Sequence, residues 1–338
     1  MSNTTRRVRS VDATLRESQR RRATRSRALR TGLPADLAGS GEAPVRGPRP
    51  QRSRTWAVGA LVLLFVLAGV GWQLLRDDAG TAVDAPAAVV EVFLGQATGG
   101  TPGGDGLLPL AVGSALGAGD VAETGAIQGE ASGVALRLAS GPSVRIDQGS
   151  RIQMVSDSVI TLDRGAVYVD SRRAGDAIEV RTTLGVVRDI GTQFEVRLVE
   201  DDDVAGLQIR VREGRIDLEA GGQHHEAGAG EQLTQLADGE LIREAISIHG
   251  PEWDWVLSSA AVPELEGLSL GEFLDWFARE GGWTLDYADT ETADRARETI
   301  LHGTNNGLSA REAADLVFLG SGLSYRVDPE GRLEVTSE

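Results

Sequence analysis

Four stretches of the 338-residue sequence hold the residue types that chemistry needs. Gly191-Thr192, inside "VRDIGTQFEV" (187–196), sets a hydroxyl beside a flexible backbone position. "GLSLG" (267–271) has the spacing of a nucleophile elbow around Ser269. His224-His225 offers two imidazoles, and "EDDDV" (200–204) offers a run of carboxylates.

None of the four carries its chemistry through. A threonine nucleophile needs an activating base, and most rely on an N-terminal amine, which nothing here supplies. Gly191 reads instead as a bulge or a close backbone approach in a strand, with Thr192 bonding locally and Phe194 following. A nucleophile elbow needs a buried strand before it and an acid and a His after it, and "VPELE" is a poor strand. Adjacent histidines on a strand point apart, so one metal does not take both. The acidic run lacks the glycine and spaced ligands of a calcium loop. The chain has no Cys, which excludes disulfides, Cys-ligated zinc and thiol catalysis. No phosphate loop or dinucleotide fingerprint is present. The reading is non-enzymatic, with no cofactor and no metal.

The elements that carry these stretches divide by charge. Residues 1–54 hold fourteen Arg against four acids, while the remainder holds twenty basic and forty-six acidic residues. Between the two lies "TWAVGALVLLFVLAGVGWQLL", Thr55 to Leu75, without a charge. As a helix it reaches about 31 Å, enough to cross a hydrocarbon core. It is too long and too far from the N-terminus for a signal peptide. Arg46, Arg49, Arg52 and Arg54 precede it, and Asp77 and Asp78 follow. The positive-inside rule then predicts 1–54 in the cytoplasm, one span at 55–75, a linker at 76–85, and the bulk across an inner membrane.

The tail has few features. "RRVRSVDATLRESQRRRATRSRALR" permits a basic helix, and a Gly/Pro-rich linker follows it. Val8, Val11 and Leu15 form a short apolar stripe beside Arg20, Arg21 and Arg22, a pattern that suits a partner-binding helix ordered on contact. A solvated tail that touches anionic lipid is the plainer reading. Direct nucleic-acid binding is not expected, since the tail has charge but neither aromatic residues nor a recognisable fold.

From 86 to 250 short runs alternate apolar and polar residues: "VALRL", "VRI", "AVYVD", "AIEVRT", "FEVRL", "LQIRVREGRIDLE". This predicts an all-β unit, a sandwich or a solenoid-like stack. Glu213-Gly214 between matched runs reads as a hairpin turn. "PLAVGSALGAGDVAET", "LDRGAVYVD", "TTLGVVRDIGTQFEV", "IRVREGRIDL" and "AGAGEQL" occur in an order that resembles FecR-like domains, the glycine-threonine-x-phenylalanine piece most specifically. The resemblance implies a periplasmic β domain of a membrane regulator that relays envelope signals, often as an anti-sigma factor.

From 262 to 338 the chain repeats itself at an offset of 40 residues. "GLSLGEFLDWFAREGGWTLDY" aligns with "GLSAREAADLVFLGSGLSYRV". Ser269 with Glu272, and Ser309 with Glu312, each spell a capping box, so Ser269 reads as a cap. Apolar residues at i, i+3, i+4 and i+7 follow, and Gly281 and Gly320 suit the helix ends. "WTLDY", "TILHG", "LSYRV" and "RLEVT" read as strands. The expected fold is small and α+β, with two helices on one sheet. The repeat resembles the secretin and TonB short N-terminal domain, which implies contacts with a periplasmic or outer-membrane protein.

Two functions remain open. In the first, a single-pass regulator relays an envelope signal to a cytoplasmic partner, expected to be a sigma factor. In the second, a structural periplasmic adaptor binds envelope proteins and the tail only anchors it.

Overall fold

The period-two alternation becomes eighteen strands in a computed structural model that describes residues 85–338, except 104–105, 127–132, 172–176, 190, 202–203, 306 and 338. The expected tail and span lie outside the described residues. Among the described residues no helix is long and apolar enough to cross a membrane.

The first strands are β1 (Ala88–Leu94), β2 (Ala97–Gly100), β3 (Leu108–Pro109), β4 (Ala115–Leu116), β5 (Val121–Thr124) and β6 (Gly133–Leu138). Next come β7 (Ser143–Ile146), β8 (Arg151–Met154), β9 (Val159–Arg164), β10 (Ala166–Asp170), β11 (Glu179–Arg181) and β12 (Val186–Asp189). The last six are β13 (Gln193–Asp201), β14 (Val204–Glu213), β15 (Arg215–Ala220), β16 (Gln223–Gly228), β17 (Glu231–Leu236) and β18 (Leu241–Ala245).

They form two nine-stranded sheets. One runs β18-β17-β14-β13-β10-β7-β6-β1-β4, the other β16-β15-β12-β11-β9-β8-β5-β2-β3. One apolar core is shared between them, with Leu136, Ile146 and Phe194 from the first sheet meeting Ile152, Ile160 and Ile216 from the second. Of the two architectures open at the sequence level, this is the stacked pair of sheets. Burying each such side chain is worth about 1.5–3 kcal/mol, which is why the inward positions are so consistently apolar.

The chain changes sheet repeatedly, and that corrects one expectation. Strands β14 and β15 do not pair with each other: β14 lies between β13 and β17, and β15 between β12 and β16. Gly214 is therefore a corner between the two layers, not a hairpin turn. Its φ is 82°, and an added Cβ would meet the Gly191 carbonyl oxygen at 2.8 Å. Glycine is needed there both for its backbone angle and for the close approach of the neighbouring corner.

Beyond β18 a 3-10 turn (Pro251–Trp253) leads into α1 (Asp254–Ser258). Then follow α2 (Leu270–Gly281), β19 (Thr284–Tyr287), α3 (Thr290–Glu298), α4 (Ala310–Ser321), β20 (Leu323–Val327) and β21 (Arg332–Ser337). The three strands make one sheet in the order β19-β21-β20, with β19 parallel and β20 antiparallel to β21. They pack with the helices around a second core that includes Phe273, Phe277, Ala314 and Leu333.

Three details differ from the sequence expectation. "TILHG" contributes a single bridge, Ser269 to Ile300, in place of a strand. A third helix, α3, is capped by Asp289, whose side chain accepts from the Thr292 N–H; its polar sequence gave no apolar stripe to find. The left-handed cap residues are Gly282 and Gly322, not Gly281 and Gly320, because both helices run one or two residues further.

Candidate functional site

The inward positions of the first sheet are apolar, and the outward ones on its central strands are not. Arg145 of β7, Tyr168 of β10, Glu195 of β13 and Arg212 of β14 all sit on that outer face, each at most 3% exposed. What buries them is the segment 246–259 and the C-terminal end of α2. Trp253, Val256 and Tyr168 form a small apolar cluster there, with Ile246 and Trp255 at its edge.

Arg212 is the central contact. Its Nη1 donates to the Glu280 carbonyl at 2.8 Å and its Nη2 to the Gly281 carbonyl at 3.1 Å, while Nε donates to the Ile248 carbonyl at 2.7 Å. The last carbonyls of a helix have no partner within the helix and carry the negative end of its dipole. A guanidinium from a distant strand thus serves as the C-terminal cap of α2. The following Gly282 has φ 70°, and a Cβ there would lie 2.7 Å from Arg212 Nε and 2.3 Å from the Ile248 carbonyl oxygen. The same guanidinium lies over the Trp253 ring, 4.7 Å from its centroid. A cation over an indole face is a favourable arrangement, more so when water is excluded.

The ladder is irregular at this point. Gln193 pairs with Glu213, but Phe194 pairs with Val211, which leaves Arg212 as the extra residue on β14. Bulges of this kind aim a side chain and sharpen local twist. The irregularity thus falls on the strand opposite Gly191, which stands in the bend before β13 with φ 67° and open space around its α-carbon.

Two further pins join the layers. Arg145 Nη2 meets Glu280 Oε2 at 2.5 Å, and its Nη1 donates to the Val256 carbonyl at 2.8 Å. Burial works against the Arg145 charge, but Glu280 and Tyr168 outweigh it and hold the guanidinium above its ordinary pKa. Burial likewise pushes the Tyr168 phenol up, against the opposing pull of Arg212 and Arg145. Arg279 of α2 bridges to Asp170 of β10 at 3.2 Å and to Glu280 at 2.6 Å. The Trp255 indole donates to Glu195 at 3.2 Å, and Glu195 also accepts from Arg197 and Arg210. Clefts of about 350 and 260 Å³ lie along the seam, the first lined by Arg212, Trp253 and Trp283, the second by Arg145, Asp170 and Glu280.

The residues singled out in the sequence are placed elsewhere. Thr192 is fully buried; its hydroxyl donates to the Arg215 carbonyl at 2.7 Å, and its N–H donates to Ser171 Oγ at 2.9 Å. Ser171 in turn donates to Asp189, whose other oxygen accepts from the Ile178 N–H at 2.6 Å. Burial raises the Asp189 pKa, with the Ser171 hydroxyl opposing. Thr192 therefore pins the corner between β12 and β13 to the corner at Gly214, and Phe194 enters the core. Ser269 and Ser309 each accept from the N–H of the glutamate three residues on and donate to its carboxylate at 2.8 Å. His224 contacts Asp217 at 2.9 Å on an exposed strand. Among the described residues no group of three or more His, Cys, Asp or Glu is placed to hold a metal. Val8, Val11, Leu15, Arg20, Arg21 and Arg22 lie outside the described residues.

The structure brings together Arg145, Tyr168, Glu195, Arg212, Trp253, Trp255 and Glu280, none of which the sequence singles out as a site. The available signal was chemical: outward positions on neighbouring strands are arginine, tyrosine and glutamate in place of small polar residues, and two tryptophans follow the last strand.

Residues 121–217, from β5 into β15, match the family described as FecR protein. The chain carries a FecR domain. Two crystal structures of proteins from Parabacteroides distasonis ATCC 8503, each described as a candidate anti-sigma factor, are similar in part. One is 15% identical, with 62% of this chain and 95% of that one covered and a TM-score of 0.33. The other is 16% identical, with 60% and 94% covered and a TM-score of 0.32. No curated protein matches the chain.

Proposed function

We propose that this FecR-domain protein is a single-pass inner-membrane regulator that relays a signal from the envelope to a cytoplasmic partner. In this reading residues 1–54 are cytoplasmic, 55–75 cross the membrane, and 76–338 face the periplasm. The 21-residue uncharged run and the arginine bias before it support that orientation. The C-terminal α+β unit, similar in pattern to the secretin and TonB short N-terminal domain, meets a periplasmic or outer-membrane protein. The cytoplasmic partner is a sigma factor, held by the Val8, Val11 and Leu15 stripe with the adjoining arginines.

The observation that carries the reading is the FecR match on a β unit whose outer face is fastened to a second folded unit. A receptor assembled this way can transmit what one unit meets to the other. Two experiments test it. Protease added to osmotically opened cells should digest 76–338 and spare 1–54; a protected C-terminus reverses the topology. Capture with the full-length protein at physiological salt should retrieve one sigma factor, and Val11→Asp with Leu15→Asp should abolish capture more completely than loss of Arg46 and Arg49. Exposed charge alone is screened beyond about 8 Å at such salt. Retention of lipid only, with both variants alike, favours the structural adaptor.

A further inference from the structure

The joint between the two folded units is built unlike either of their interiors. The large core and the C-terminal core are separate, and a small apolar cluster around Tyr168, Trp253 and Val256 lies between them. The hydrogen bonds and ion pairs that cross the seam involve charged side chains: Arg212 to helix carbonyls, Arg145 to Glu280, Arg279 to Asp170, Trp255 to Glu195. A cleft lies to either side. Interfaces between units of one chain allow relative motion unless they are large and apolar.

A second observation points the same way. Among the described residues, three buried side-chain atoms lack a hydrogen-bond partner: Tyr168 Oη, Arg145 Nε and Arg279 Nε. All three belong to this seam. Buried polar groups are nearly always satisfied, so a cluster of exceptions marks stored cost. Docking withholds water from these atoms, and separation returns it. The seam thus holds strong charged contacts and an opposing penalty at one place.

We propose that the C-terminal unit is a releasable clamp on the arginine-lined outer face of the first sheet. It leaves and rejoins as a folded body, and Arg212, through its grip on the C-terminus of α2, is the latch, with Arg145–Glu280 beside it. Opening exposes Arg145, Arg212 and Tyr168 on one side and the carbonyl end of α2 on the other. This goes beyond the regulatory reading and does not depend on any partner's identity.

The absence of cysteine allows two labels to be placed cleanly. Gln223→Cys on exposed β16 and Leu319→Cys, 87% exposed on α4, carry spin labels in the purified full-length chain. The unaltered latch should give one main distance. Arg212→Ala combined with Glu280→Gln should raise a second, longer distance by about tenfold or more, given the strength of charged hydrogen bonds. Hydrogen exchange should show β13, β14 and the N-terminal half of α2 as protected as before. Arg212→Lys, which keeps the charge but loses the fork, should fall between. A single unchanged distance in the double variant overturns the proposal. So does a longer distance that comes with lost protection throughout α2, since the unit would then be unfolding and not undocking.

Discussion

The two faces of the first sheet use the same strands to opposite ends. On β13, Phe194 and Val196 point into the shared core, and Glu195 between them accepts from Arg197, Arg210 and the Trp255 indole. On β7, Val144 and Ile146 flank Arg145 in the same way. Both faces are buried, but they hold their neighbours differently. Apolar contact is non-directional and roughly proportional to area, so the inner face tolerates small shifts without losing its grip. Charged hydrogen bonds are strong only when their geometry is met, and a buried charge left alone is costly. The inner face therefore fixes a permanent fold, and the outer face makes a contact that is either fully made or not made.

The comparison is tested most severely by Phe194→Ala. Truncating a fully buried phenylalanine costs about 3–5 kcal/mol, from lost transfer energy and the cavity left behind. Urea unfolding of the purified protein should show that loss in the main transition. Glu195→Gln, one residue along on the outer face, should cost that transition less, since Arg197 keeps Asp147 and Arg210 keeps Gln232 as partners. Equal losses from the two would remove the distinction between the faces.

Next in size is Glu280→Gln. The side chain is 1% exposed and joins Arg145 to Arg279. Weakening hydrogen bonds to a charged partner costs about 1.5–3 kcal/mol. The loss should appear as weaker docking, read by proteolysis between 246 and 262, with the β unit melting at its former temperature. A drop in that melting temperature equal to the effect on docking would show the two units to be one cooperative body.

What the sequence made legible follows the same divide. Alternation marked the inner face correctly because burial against a second sheet needs only that every other residue be apolar. The capping boxes at Ser269 and Ser309 were readable because both partners lie within three residues. The seam was not, because Arg145 and its partner Glu280 lie 135 residues apart. Period-two patterning says that Arg145 and Arg212 face outward without saying what covers them. The Glu213-Gly214 signal was real as a turn, but a turn between pairing strands and a corner between sheets use the same residue. Polar α3 escaped for want of an apolar stripe.

The corners sharpen the comparison because they decide which residues face which layer. Gly191 and Gly214 both have positive φ, but only Gly214 is crowded, by the Gly191 carbonyl and the Thr192 side chain. Gly191→Val should cost about 1–2 kcal/mol, the strain of a left-handed backbone carrying a β-carbon. Gly214→Val adds a steric clash and should lower the melting temperature further. An unchanged melting transition in Gly191→Val would show that the bend accommodates a side chain.

A pH dependence separates the buried carboxylate beside these corners from exposed ones elsewhere. Burial raises the folded-state pKa of Asp189, with Ser171 opposing. The folded state then holds the proton more tightly than the unfolded chain. Its stability is greatest below the ordinary aspartate value and declines as pH rises through the elevated one. Asp189→Asn should flatten that decline in a series of unfolding curves. A steeper decline would mean that the carboxylate is stabilised in its charged form.

The smallest effects belong to the repeated helices. Ser269→Ala and Ser309→Ala should each cost about 1 kcal/mol, since each removes an acceptor for an otherwise unpaired N–H in the first turn. The two boxes have the same partners and nearly the same distances, so the losses should agree closely. Their pH behaviour runs opposite to that of Asp189. The backbone N–H of Ser269, then its hydroxyl, lowers the Glu272 pKa, and Ser309 does the same for Glu312. That contribution is complete above the ordinary glutamate value and is lost as pH falls through the depressed one. Each alanine variant should therefore differ most from the parent at neutral pH, and the gap should narrow in acid without closing, since the acceptor for the glutamate N–H is lost at every pH. Neither substitution touches the Arg212 latch at the other end of α2, so the spin-label distance should stay single in Ser269→Ala. A second distance in that variant would mean that helix stability and not the latch sets docking.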